Sequence, residues 1–329
     1  MRRTPRLPAL ALALTACLVS TAPVAYADEV PASPAPGFVT EQLAEGVFLV
    51  RPRTPAIDRT NSLVVLRDDG PLVIESQPSV VAARELLSLI AAIDARPVRF
   101  LVLSHPHVES IGGATAFPET TLVVASGGCR RMLEDPAYDA GAELRAAAPS
   151  PDSWAAPARR LPVLLADGPI TLADSRNPVA MFPVGVAHSS GDLLLQLPRS
   201  GILYAGALVA LDGNPYAPDG DLMGWLDVLN QLGQIAFETV VPLRGPRASR
   251  DDVGHFRDGL AWIRGQVEVG LREGVPWEDI PNFVVQSHRF AEYFDPRAIP
   301  AFHGLLVEKV LREADQQRTK RMLPSIRPK

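Results

Sequence analysis

The residues that invite chemistry lie in Ser104-His105-Pro106-His107-Val108-Glu109-Ser110, followed at once by Ile111-Gly112-Gly113. Two histidines at i and i+2, directly after the apolar run 100–103, put both imidazoles on one side of an extended loop leaving a buried strand. That spacing suits chelation of one metal ion. The pair alone leaves a second reading open, in which both rings are satisfied by ordinary packing or by solvent. Another histidine, His188, sits in the small-residue turn Val186-Ala187-His188-Ser189-Ser190-Gly191-Asp192. His255, His288 and His303 fall in helical sequence near the C-terminus, where surface or packing roles suffice. Cys129 has no histidine near it in sequence and reads as a small packing residue rather than a nucleophile.

The elements that must position these residues can be read from periodicity and turn chemistry. Residues 46–50 form a short apolar strand. Residues 61–66 lead through Arg67-Asp68-Asp69-Gly70 into 72–75, a hairpin signature. Ser79 can cap a helix in which Ala83, Leu86, Ile90 and Ile93 share a face, and Pro97 ends it. Strands follow at 100–103 and 121–125. Residues 136–162 carry five prolines among alanines and charges and read as a surface insertion or as a flap over the site. Further strands are expected at 162–165, 170–172, 179–184, 193–197 and 202–205. A helix with Leu222, Trp225, Leu229 and Leu232 on one face then runs to about residue 236, before a strand at 239–242. Ser249 and Asp252 form a capping box for a helix whose Phe256, Leu260, Ile263, Val267 and Leu271 align, and Asp295-Pro296 starts another with Ile299, Phe302, Leu306 and Val310. Strands first, then alternating helix and strand, favour an α/β sandwich over an all-α or all-β domain.

The 329 residues are 47% hydrophobic and 21% charged, enough to bury a large core and unlike a disordered chain. Residues 1–27 read as a signal peptide: Arg2, Arg3 and Arg6, an apolar run, and the small-residue site Ala25-Tyr26-Ala27. Leu14-Thr15-Ala16-Cys17 also fits a lipoprotein box, so a membrane anchor at Cys17 stands as the alternative to soluble periplasmic or secreted export. Cleavage after Ala27 removes three of the 32 basic residues and none of the 37 acidic ones, giving 29 − 37 = −8. That acidity argues against a nucleic-acid partner. Only Cys129 then remains, so the exported protein has no internal disulfide. Residues 28–38, with three prolines, read as a linker.

Five segments, in order, carry a resemblance: the hairpin ending Leu72-Val73-Ile74-Glu75, His105-Pro106-His107 with Gly112-Gly113, His188-Ser189-Ser190-Gly191-Asp192, Leu203-Tyr204-Ala205-Gly206, and Val241-Pro242-Leu243-Arg244-Gly245-Pro246. The chain resembles the metallo-β-lactamase-fold hydrolases, which implies an αββα sandwich over residues 39–247 and a helical extension over 248–329. The family motif H-x-H-x-D-H and a later histidine turn hold a first zinc, and here His105, His107 and His188 stand at those positions. The family's second-zinc positions hold Glu109, Ser110, Ala207 and Arg244, of which Ser110 is a poor ligand, Ala207 none, and Arg244 a permanent cation. The resemblance therefore implies at most one zinc, activating water for hydrolysis of a small ester, thioester or amide. Glu109 would act as base, and Arg244 would offset negative charge. The alternative is a pseudoenzyme serving as an exported binding or scaffold protein.

Overall fold

The computed structural model describes residues 37–54, 56–142, 158–211, 219–294 and 306–316. The expected signal peptide, most of the linker, much of the 136–162 insertion, the Asp295-Pro296 helix start and His303 lie outside them. Continuous apolar runs rather than clean alternation mark most strands, because both faces of each sheet are covered. The first sheet has seven strands in sequence order: β1 (Phe38–Ala44), β2 (Val47–Pro52), β3 (Ser62–Val65), β4 (Leu72–Ile74), β5 (Phe100–Val102), β6 (Leu122–Ala125) and β7 (Leu164–Leu165). β1 to β4 pair antiparallel, with the expected hairpin joining β3 to β4. β4 to β7 pair parallel.

A parallel pair needs a crossover, and α1 (Val80–Ile93) supplies the first, capped by Ser79 as its sequence predicts. The second sheet runs β12 (Thr239–Arg244), β11 (Ile202–Ala210), β10 (Leu193–Leu197), β9 (Val179–Pro183) and β8 (Ile170–Leu172). Only β11 and β12 are parallel, and the helix between them, α4 (Leu222–Leu232), makes the crossover. β11 runs well past the expected end at residue 205, so Ala207 is a buried strand residue.

Side chains alternate between layers at single-residue steps. Leu49, Leu63, Leu72, Ile74 and Val102 meet Met181, Leu193, Leu195 and Tyr204 between the sheets. Their neighbours Val50, Val64, Val73 and Leu101 face outward onto Ala83, Leu86 and Ile90 of α1 and onto Cys129 of α3 (Gly127–Glu134). On the other side Leu194, Leu203 and Val240 meet Trp225 and Leu229, together with Phe256, Leu260, Ile263 and Val267 of α5 (Arg250–Glu273). The result is helix, sheet, sheet, helix. The predicted capping box of Ser249 and Asp252 opens α5. Helices α6 (Ile280–Val285) and α7 (Phe290–Tyr293) and the helical residues 306–316 complete the same outer layer. Among the described residues no helix is long and apolar enough to cross a membrane.

Candidate metal centre

The site forms where strand ends release the chain. Val102 ends β5, and two residues later Ser104 and His105 follow. The loop is not extended throughout as expected, because His107 is the N-cap of a short helix, α2 (Val108–Ile111). Gly112 and Gly113 allow that turn to lie directly on the loop after β4: a Cβ on Gly112 would meet the Pro78 carbonyl oxygen at 2.0 Å, and one on Gly113 the Ser76 carbonyl oxygen at 2.2 Å. His188 arrives from the β9–β10 turn. Asp192 holds that turn, accepting from the Ser189 backbone N–H at 2.8 Å and from its hydroxyl at 2.5 Å. The two sheets are tied together at this point by the Leu193 N–H, which donates to the Ser104 carbonyl at 2.8 Å.

The structure brings His105, His107 and His188 together. All are buried, and their nitrogens lie within 4.8 Å of one another. The ring centroids are 5.2, 5.2 and 4.8 Å apart, with the rings near perpendicular rather than stacked. Hydrogen bonds fix the tautomers. Ser104 Oγ donates to Glu75 Oε1, so at 3.0 Å from His105 Nδ1 it accepts that ring's proton. The lone pair of His105 is then on Nε2, which is buried without a hydrogen-bond partner among the described residues. His107 Nε2 lies 3.0 Å from Asp219 Oδ2 and donates to it, placing its lone pair on Nδ1. A carboxylate behind a histidine and an orphaned imidazole nitrogen are what a metal site requires of its surroundings. The residues present therefore fit one zinc ion.

Burial, then the neighbouring His188 and His107, then Arg244, hold His105 well below the usual imidazole range. It is neutral at physiological pH, the state in which imidazole ligates. Burial pushes Asp219 up, but the hydrogen bonds from His107 and Tyr138 outweigh it and leave the carboxylate below its ordinary range.

The other expected residues are placed differently. Glu109 is 8% exposed in the first turn of α2, and its carboxylate has no hydrogen-bond or ion-pair partner among the described residues. Ser110 is structural: its Oγ accepts from the Ser104 N–H at 3.1 Å, and its carbonyl accepts from Ser76 Oγ at 2.6 Å. Arg244, at the end of β12, donates to the carbonyls of Ala56 at 2.7 Å and Arg59 at 2.9 Å, bracing that loop. Cys129 is buried, and burial raises its thiol pKa, so it packs as expected. His255 is exposed on α5, bonded to the Glu292 carbonyl at 2.8 Å, and His288 is also exposed.

Three residues that support the histidines, Glu75, Ser104 and Asp219, were given no role by the sequence reading. Glu75 follows β4 rather than ending it, with φ 71°, and Gln77 has φ 78°; two left-handed non-glycine residues this close mark a strained loop. The strain is held by Gln77, whose side chain bonds both backbone groups of Thr60 at 3.0 and 2.8 Å. Ser104 and Asp219 also gave no local pattern. A lone acid closing an apolar strand was the one signal for Glu75.

Residues 56–243, more than half of the chain, match the sequence profile described as the Metallo-beta-lactamase superfamily. The chain belongs to that superfamily. Solved structures with the metallo-β-lactamase fold include a metallo-beta-lactamase from Pontibacter korlensis, 19% identical with a TM-score of 0.57, covering 68% of this chain and 99% of its own. The sec-alkylsulfatase Pisa1 from Pseudomonas sp. is 14% identical with a TM-score of 0.64, over 84% of this chain and half (50%) of the sulfatase. The metallo-β-lactamase FIM-1 from Pseudomonas aeruginosa, solved in its mono-zinc form, is 18% identical with a TM-score of 0.51, over 68% of this chain and 94% of that one. These likenesses establish the fold. No curated protein shows significant sequence similarity to the chain.

Proposed function

We propose that this protein is an exported hydrolase working with a single zinc ion bound by His105, His107 and His188. The observation that carries the proposal is the convergence of three buried imidazoles within 4.8 Å. Three neutral imidazoles are a sufficient protein ligand set for one catalytic zinc. A zinc ion there supplies a Lewis acid and brings the pKa of a bound water down to about 7.

The chain's own residues do the rest. Asp219 orients His107 and strengthens its lone pair. Glu75 acts through Ser104 in the same way on His105. Glu109, whose carboxylate no other described residue engages, is the proposed base that takes the proton from the attacking water. Arg244 contributes positive charge, felt at His105, against negative charge developing on the substrate. A small ester, thioester or amide is the proposed substrate class, and export is proposed as soluble, with anchoring at Cys17 the alternative. No nucleic-acid partner is proposed for so acidic a chain.

A second reading, a catalytically silent binding protein, is favoured by the way Ser110 and Arg244 are taken up by internal hydrogen bonds at the second-zinc positions. Metal analysis separates the two. The purified protein is expected to carry close to one zinc per chain, His188→Ala to lose it, and Glu109→Gln to keep it while losing turnover of ester, thioester and amide substrates. Absence of zinc from the wild-type chain refutes the hydrolase reading, and an unchanged rate in Glu109→Gln refutes that residue's role.

A further inference from the structure

A second feature lies at the edge of the centre, where β2 ends and the loop before β3 meets the end of β12. A cavity of about 60 Å³ is lined there by Arg51, Arg53, Arg59 and Arg244, with Asn61 and the Gly245-Pro246 turn, and by no carboxylate. One water needs roughly 10–15 Å³ measured this way, so the cavity holds a small headgroup rather than a bulky ligand. Four arginines lining so small a space, with no carboxylate among the lining residues, are a local concentration of basic side chains in a chain of net charge −5.

The arginines are not equivalent. Arg59 is ion-paired through its two terminal nitrogens to Asp58 at 2.6 Å and Glu85 at 3.0 Å, and its Nε is buried without a partner among the described residues. Arg244 is fixed by the carbonyls of Ala56 and Arg59, which holds its charge in the wall. Arg51 makes no side-chain hydrogen bond or ion pair with any described residue, although its Nε is buried. A guanidinium with no acceptor among the described residues calls for one, and the planar fork of arginine matches the paired oxygens of a carboxylate, phosphate or sulfate. The frame around it is rigid: β2 pairs with β1 through Arg51, opposite Val39. Asn61 Nδ2 pins the carbonyls of Pro242 and Gly245, each at 2.8 Å. Asn61 also joins the cavity to the histidines: its backbone carbonyl lies 3.3 Å from the Tyr204 hydroxyl, that hydroxyl lies 3.1 Å from Glu75 Oε1, and Glu75 and His105 share Ser104 Oγ.

We propose that the arginine cavity binds an oxyanion, and that the substrate of the neighbouring centre is therefore anionic, its carboxylate, phosphate or sulfate seated on Arg51 while the scissile group faces the histidines. The first half rests on the cavity alone; the second rests on the hydrolase reading.

Isothermal titration of inorganic phosphate into the purified protein, at low chloride and near-neutral pH, tests it, with acetate as a second titrant for the carboxylate case. Saturable binding is expected, weakened about tenfold in Arg51→Gln, which loses a charge-assisted fork. Arg51→Lys keeps the charge and the fold but not the fork, and about threefold weakening is expected. Arg257→Gln, an exposed α5 arginine paired with Asp258 at 2.7 Å, removes the same charge elsewhere and should bind like wild type. His188→Ala should also keep phosphate binding. No saturable binding of either titrant, full retention in both Arg51 variants, equal loss in Arg257→Gln, or loss in His188→Ala each overturns the assignment, the last by placing the anion on the metal centre. A wild-type chain without zinc whose phosphate binding still depends on Arg51 keeps the cavity and refutes the hydrolase.

Discussion

Glu75 is the residue whose chemistry depends most on where the fold puts it. Burial pushes its carboxyl up from 4.5 to about 7, against hydrogen bonds from Ser104, Ser110 and Tyr204 that favour the charged form. The folded state therefore holds a proton there that the unfolded chain has lost, and stability falls as pH rises from about 4.5 through about 7. The shift corresponds to about 3 kcal/mol. Glu75→Gln keeps the two accepting bonds to Ser104 and Tyr204 but cannot ionise. In chelator-treated protein, its urea stability minus that of wild type should grow by about that amount between acidic and mildly alkaline pH, with His105 cancelling in the difference. Parallel curves for the two proteins would show that Glu75 does not titrate in this range.

Among elements, the contact that matters most runs from the C-terminal helices to the site. His188 packs edge-on against Trp225 of α4 at 5.3 Å, Trp225 against Phe256 of α5 at 6.0 Å, and Phe256 against Phe294 at 6.4 Å. The turn that carries His188 is thus backed by a file of buried rings. Phe256→Ala opens a cavity in this file. A loss of about 3–5 kcal/mol in urea unfolding is expected, as for other buried Phe to Ala changes. A loss within about 1 kcal/mol would mean that the layer closes up without it.

At the scale of the whole molecule, the helical layer after residue 248 is not an appendage. Its Phe256, Leu260, Ile263 and Val267 share one core with Leu194, Leu203 and Val240 of the second sheet. A chain ending at Arg247 leaves the outer faces of Trp225, Leu229 and Leu232 uncovered, and is expected to aggregate or to lose its near-ultraviolet circular dichroism. A soluble truncated chain that melts cooperatively would show that the sandwich closes without the tail.

The sequence by itself determined what is local. Apolar runs such as Leu72-Val73-Ile74 had to be buried on both faces, Ser79 and the Ser249/Asp252 box had to start helices, and Arg67-Asp68-Asp69-Gly70 had to turn a hairpin. Each follows from a few adjacent residues, and together with the order of the histidine segments they made the family legible. Tertiary structure decided everything that depends on segments distant in the chain. His188 joins His105 and His107 only because β9 and β10 bring its turn against the end of β5. Asp219 becomes a support for His107, and Glu75 for His105, only by being carried there from other elements. Arg244, read from its position as a cation for substrate, is held by carbonyls of the 56–59 loop, while Arg51, unremarkable in sequence, lines a cavity and has no side-chain hydrogen bond or ion pair among the described residues. Residue type dictates what a side chain can do, but the partner that decides which of those things it does is set by packing between elements, and no local pattern encodes it.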